Sequence, residues 1–211
     1  MTKKDRALAA VTLLKSMYPD PECSLKATDP YHLLVATRLS AQCTDARVNL
    51  VTPSLFAAFP TPQAMASAPV EEVEELIRST GFYHTKARDL VVMAQQLLDR
   101  FDGHVPDTIE ALTSLQGVGR KTANLICGDV YHMPGAVVTD THLIRISNRI
   151  GLTATTDPKK VETELRALLP PEESNNFCHR CVMHGRACCT ARKAHCESCA
   201  LTEICKKKIA K

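Results

Sequence analysis

From Cys189 to Cys205 the chain places four cysteines, Cys189, Cys196, Cys199 and Cys205, at spacings of six, two and five residues, among few large apolar side chains. A segment so poor in hydrophobic groups cannot fold by burying a core, and four thiolates closed around a metal replace that core. Ten cysteines in a chain with no recognisable leader point to metal binding before disulfides. Structural zinc usually takes two close ligand pairs separated by a longer arm, and here only Cys196 and Cys199 are close. Tetrahedral sulfur suits zinc and iron–sulfur equally, so spacing alone leaves the two open. Cys188 adjoins the first ligand and is set aside, as are Cys178 and Cys181, which read as small, partly buried side chains on a helix over 172–185. Cys23, Cys43 and Cys127 read as ordinary core thiols.

Ahead of this segment the apolar residues recur at helical spacing. Ala7, Val11, Leu14 and Tyr18 share a face, as do Leu90, Ala94, Leu97 and Phe101, and Val161, Leu165, Leu168 and Leu169. Asp29-Pro30 opens an apolar run to Leu39, and Pro170-Pro171 stops another. Ala136–Thr139 is the one short extended candidate. With 4% aromatic residues and no Trp, the core must come from aliphatic side chains, which favours helices over a β-sandwich. The expected class is all-α. The longest uncharged stretch, 48–70, is broken by Pro53, Pro60, Pro62 and Pro69 and cannot span a bilayer. No secretory leader is expected, and the reading is a cytoplasmic protein with no membrane partner.

The formal net charge is +3, but the segment from Cys178 to Lys211 alone carries eight Lys/Arg against Glu197 and Glu203. A basic pole on a near-neutral chain suits a polyanion. The segment Leu115-Gln116-Gly117-Val118-Gly119-Arg120-Lys121-Thr122-Ala123 runs into an apolar helix. It is not a nucleotide-phosphate loop, because Arg120 separates Gly119 from the lysine and Ser114 stands where that motif needs glycine. Two glycines around one apolar residue make a tight hairpin between helices. Backbone N–H groups there, with the positive end of the next helix, can face one phosphate. Such a contact positions a duplex without reading its sequence. An αα-turn with no ligand fits the glycines equally.

In this order, Gly117-Val118-Gly119-Arg120-Lys121-Thr122-Ala123, Asp140-Thr141-His142 and the cysteine spacing closely resemble the endonuclease III family, the helix–hairpin–helix DNA glycosylases of base-excision repair. Ser40-Ala41-Gln42-Cys43-Thr44-Asp45 and Gly81-Phe82-Tyr83 with Lys86-Ala87 resemble further family segments, so the likeness spans nearly the whole chain. It implies two helical domains with the active site in the cleft between them. One is a six-helix bundle over 23–134 containing the hairpin; the other joins 1–22 to 135–211 and holds a 4Fe–4S cluster on Cys189, Cys196, Cys199 and Cys205. The implied activity is that of a bifunctional glycosylase and abasic-site lyase, acting as a monomer on double-stranded DNA with oxidised pyrimidines or abasic sites.

Residue by residue, the resemblance implies that Lys121 attacks C1′ of the damaged nucleotide and forms a Schiff base that permits β-elimination. Asp140 becomes the assisting carboxylate, a role compatible with capping the helix after it. Gln42, Phe82 and, less securely, His142 would fill the gap left by the flipped nucleotide. Gly117 and Gly119 would meet one phosphate, and Arg192 and Lys193, between the first two cluster cysteines, would meet others. Asp45 is a second carboxylate or a cap. Without the resemblance, Lys121 reads as a phosphate-contacting cation, Gln42 as a helix-end polar residue and Phe82 as core. The chain departs from the family at Thr139 and Phe82, where apolar and Leu residues are usual, and by one extra residue before Asp140. A non-catalytic, cluster-stabilised DNA-binding module is the alternative from a different class, and a zinc-folded form of the enzyme is the third.

Overall fold

The computed structural model describes residues Met1–Lys207; Lys208 and Lys211, counted in the basic segment, lie outside the described residues. The described residues contain eleven α-helices and no β-strand: α1 (Lys3–Met17), α2 (Pro30–Leu39), α3 (Asp45–Ala58), α4 (Pro62–Ala66), α5 (Val70–Ile77), α6 (Tyr83–Phe101), α7 (Ile109–Thr113), α8 (Arg120–Asp129), α9 (Thr141–Ile150), α10 (Pro158–Leu168) and α11 (Ser174–Ala187). Short 3-10 helices occupy Arg78–Thr80, Pro171–Glu173 and Cys196–Ser198. The all-α expectation therefore holds. Starts are set locally: Thr2, Asp29, Thr44, Thr61, Thr108, Asp140 and Asp157 each accept a backbone N–H from their own helix, relieving donors the first turn leaves unpaired. Pro30, Pro62 and Pro158 follow their caps at the first turn, where a missing N–H costs nothing.

The chain divides into two compact units. The first, Cys23–Tyr131, is centred on α6, which packs against α2, α4 and α5. Its core is Leu34, Leu39, Leu55, Met65, Ile77, Leu90, Met93 and Leu97, all fully buried. At its end α7 packs on α8, with Ser114–Gly119 as the hairpin between them.

The second unit is discontinuous, joining Met1–Glu22 to the chain from His132 onward. Here α11 packs against α1 and α9, and α1 also meets α10. Ala7, Leu14, Leu143, Val161, Leu165 and Phe177 form its fully buried core. Buried Arg180 ties α11 to α1: its Nε donates to Tyr18 O at 3.1 Å and its guanidinium pairs with Glu173 at 2.7 Å. Lys15 of α1 pairs with the same carboxylate, and Arg6 Nε donates to Ile204 O at 2.9 Å.

Two local expectations are corrected. Ala136–Thr139 is buried, but it joins no β ladder and turns at its end, with the Asp140 N–H donating to Val138 O at 3.1 Å. A strand needs a partner, and the only bridge among the described residues, Cys189 with Ala194, lies elsewhere. Cys127 is a core thiol, whereas Cys23 and Cys43 are half-buried. Cys178 and Cys181 are buried on α11, as read from the sequence.

Candidate functional site

The hairpin is held by a polar brace from distant parts of its own unit. Arg38 of α2 pairs with Asp89 of α6 through two guanidinium nitrogens, and both side chains are nearly buried. The other oxygen of Asp89 accepts from Gln116 Nε2 at 2.9 Å, and Gln96 accepts the Gln116 N–H at 2.7 Å. Arg100 donates to the carbonyl and hydroxyl of Ser114. Gly117 sits at φ +72°, and a Cβ there would lie 2.5 Å from Arg38 Nε. Backbone conformation and close approach both demand glycine at this position. Gly119 has ordinary φ and serves as the N-cap of α8 with no side chain to offer. Lys121 follows in the first turn of α8, exposed to solvent.

Gln42 and Phe82 share an unusual conformation. Both are exposed non-glycine residues in the left-handed region, at φ 53° and 49°. Each such residue costs on the order of 1–3 kcal/mol, which the surroundings must offset. Phe82 is 67% exposed, which excludes the core reading. Thr44 caps α3, and Asp45 follows half-buried in its first turn.

In the discontinuous unit Asp140 is the N-cap of α9, its Oδ1 accepting the Leu143 N–H at 2.7 Å. His142 is half-buried against Gly185 of α11, where a Cβ would come within 2.5 Å of its Nδ1, and Arg145 lies 3.1 Å from the same nitrogen. The four expected ligands Cys189, Cys196, Cys199 and Cys205 line one cavity with Cys188 and His184. Arg149 of α9 grips the first of them: its guanidinium donates to the Cys189 carbonyl and sulfur, to Thr190 O at 2.7 Å and to Ala191 O at 3.2 Å. Arg145, one turn earlier, donates to Cys189 O and Gly185 O. Thr190 closes the loop by bonding both backbone groups of Lys193, leaving Arg192 and Lys193 exposed.

Residues 35–171 match the HhH-GPD superfamily of base excision DNA repair proteins. Endonuclease III of Synechocystis is 45% identical over 97% of this chain and 93% of its own length. That of Escherichia coli K12 is 36% identical over 97% of each. A solved structure of a trapped endonuclease III–DNA covalent intermediate superposes with a TM-score of 0.92 at 39% identity, covering 98% of this chain and 97% of that one. The chain belongs to the HhH-GPD superfamily.

In this HhH-GPD protein the sulfur-rich cavity gathers residues that could hold a metal centre. Burial first, then the neighbouring Cys199, Cys189 and Cys196, push the Cys188 thiol up to about 12. Burial likewise raises Cys205. Thiols crowded this way resist ionising until a cation joins them. Three ligand atoms, from His184, Cys188 and Cys199, lie within 4.8 Å of one another. Only Cys199 of these was expected. The sequence reading also missed Arg145 and Arg149, signalled by two arginines four apart on one helix, and Arg38, Asp89 and Gln116. A charged residue continuing an apolar stripe, such as Asp89 four places before Met93 and eight before Leu97, was the available sign.

Proposed function

We propose that this chain excises oxidised pyrimidines from double-stranded DNA, with Lys121 as nucleophile and Asp140 as its assisting carboxylate. The protein is a DNA glycosylase and abasic-site lyase of base-excision repair. The observation that carries the assignment of Lys121 is its position: an exposed amine one residue beyond the N-terminus of α8, directly after a hairpin braced by Arg38, Asp89 and Gln116. The similar solved structure is a covalent enzyme–DNA intermediate, and a covalent step needs a nucleophile, which an exposed amine can supply.

A lysine must lose its proton to attack. The Nζ lone pair then forms a bond to C1′, and the base departs with the electrons of the glycosidic bond and takes up a proton. Ring opening gives an imine. The imine acidifies C2′; loss of that proton expels the 3′ phosphate and cuts the strand. Asp140, held rigidly by the Leu143 N–H, stabilises positive character at the sugar and assists proton transfer. The nucleotide must leave the stack first, and Gln42 and Phe82 fill the gap. Gly117 and Gly119 place the hairpin on a phosphate, while Arg192 and Lys193 meet others.

Cys189, Cys196, Cys199 and Cys205 would hold a 4Fe–4S cluster, which when bound cross-links a segment lacking an apolar core. The His184, Cys188 and Cys199 trio supports a second reading, in which a single zinc ion takes mixed sulfur and nitrogen ligands. Iron, sulfide and zinc contents of purified protein separate the two. For catalysis, a duplex with one thymine glycol is incubated with protein and borohydride. A covalent adduct is expected with wild type and none with Lys121→Ala; absence in the wild type, or persistence in the variant, overturns the Schiff base.

A further inference from the structure

Within the Cys23–Tyr131 unit, Lys86 is 1% exposed, the most deeply buried charged group there. Its ammonium donates to Leu39 O at 2.7 Å and to Thr80 O at 2.9 Å. Leu39 is the last residue of α2, and Thr80 the last of the 3-10 helix Arg78–Thr80. The carbonyls at a helix end have no intrahelical partner and carry its negative pole. One buried cation therefore caps two helix ends at once. Three residues beyond the first lies Gln42, and two beyond the second lies Phe82, the two exposed left-handed residues of this region. The backbone N–H of Lys86 also donates to Phe82 O at 3.0 Å, so this residue holds the Phe82 turn from both sides.

The position is unfavourable for a lysine. Burial, with Arg38 adding to it and Cys43 opposing it, lowers the Lys86 pKa, and the first turns of a helix repel a cation. A residue serving only to fill space would be apolar there. We propose that Lys86 is a positioning residue that locks the Gln42 and Phe82 turns to each other, so that the two side chains enter the duplex as one preformed wedge. This rests on the reading of Gln42 and Phe82 as gap-filling residues. The strain of each turn is then offset before DNA arrives, and the ordering cost is removed from the flipping step.

The test compares holoprotein variants Lys86→Met, Lys86→Arg, Gln42→Ala and Phe82→Ala on two substrates: a thymine glycol duplex with 2-aminopurine beside the lesion, and a duplex with a preformed abasic site. Lys86→Met, like both wedge variants, is expected to slow single-turnover base excision by about tenfold or more and to suppress the 2-aminopurine rise. Abasic-site cleavage and affinity for undamaged duplex should change much less, and Lys86→Arg should restore part of the loss. Adding Lys86→Met to Phe82→Ala should cost little more. Wild-type excision by folded Lys86→Met, or equal loss on both substrates, overturns the proposal. Unchanged Gln42→Ala and Phe82→Ala would instead remove the wedge reading beneath it. If Lys86→Met does not fold, amide exchange in the wild type decides. The Cys43 N–H, bonded to Ser40 O, and the Lys86 N–H should open together; widely unequal protection overturns the lock.

Discussion

Gly117 concentrates two demands in one residue. Its left-handed backbone would strain any L side chain, and the space a Cβ would fill holds the Arg38 guanidinium that pairs with Asp89. Gly117→Ala is therefore expected to destabilise the protein by about 2–4 kcal/mol, combining backbone strain with damage to a nearly buried ion pair. Denaturant unfolding measures the loss, and duplex affinity should fall with it. Unchanged stability would show that the brace yields without cost. The glycine pattern announced a tight turn in the sequence, because turn chemistry is local. Arg38, Asp89 and Gln116 were not legible, since their meeting depends on packing between α2, α6 and the hairpin, and no spacing rule encodes that. Phe82 was legible only through resemblance. Its neighbours Gly81 and Tyr83 do not by themselves say that a phenylalanine will sit exposed in a left-handed turn.

At the level of elements, α9 does more than bury its apolar stripe. Asp140 begins it, and Arg145 and Arg149 project from one face onto the carbonyls of 185 and 189–191. Arg149→Ala should speed metal loss to a chelator by about 10- to 100-fold, the usual range for groups that orient metal ligands. Arg149→Lys should not rescue it, because a point charge cannot span acceptors that a planar fork reaches. Metal release followed by elemental analysis of the protein checks both; full rescue by lysine would sink the fork argument. The helices themselves were readable from periodicity, Pro-led starts and capping residues. The irregular connectors were not, as Ala136–Thr139 illustrates: four β-prone residues without a partner strand make a buried linker.

For the molecule as a whole, the discontinuous unit depends on bonds between the two ends of the chain. Glu173 accepts from Lys15 and Arg180, and these partners, Lys15 foremost, outweigh burial and hold its carboxyl below the usual glutamate value of 4.5. A carboxylate with a lowered folded pKa stabilises fully above its unfolded value and loses that contribution as pH falls through the folded one. Wild type should therefore melt higher than Glu173→Gln above pH 4.5, with the gap closing as acidity increases further. Thermal melts across that range test it; a gap independent of pH would remove Glu173 as its source. No helix among the described residues is long and apolar enough to cross a membrane. The all-α class and the general placement of helices came from local signals, whereas the return of the last third of the chain onto α1 came only with the family resemblance.

The bond from Arg6 to Ile204 spans 198 positions of chain. On a ribosome the amino end emerges first, yet its partners in α10, α11 and the cysteine segment are among the last to appear. Throughout synthesis of Cys23–Tyr131, α1 has yet to meet α10 and α11, the helices against which its buried face of Ala7, Val11 and Leu14 packs. Loop closure over so many residues is a slow, late event. Docking of the first helix thus waits for the cysteine segment to which Arg6 is bonded.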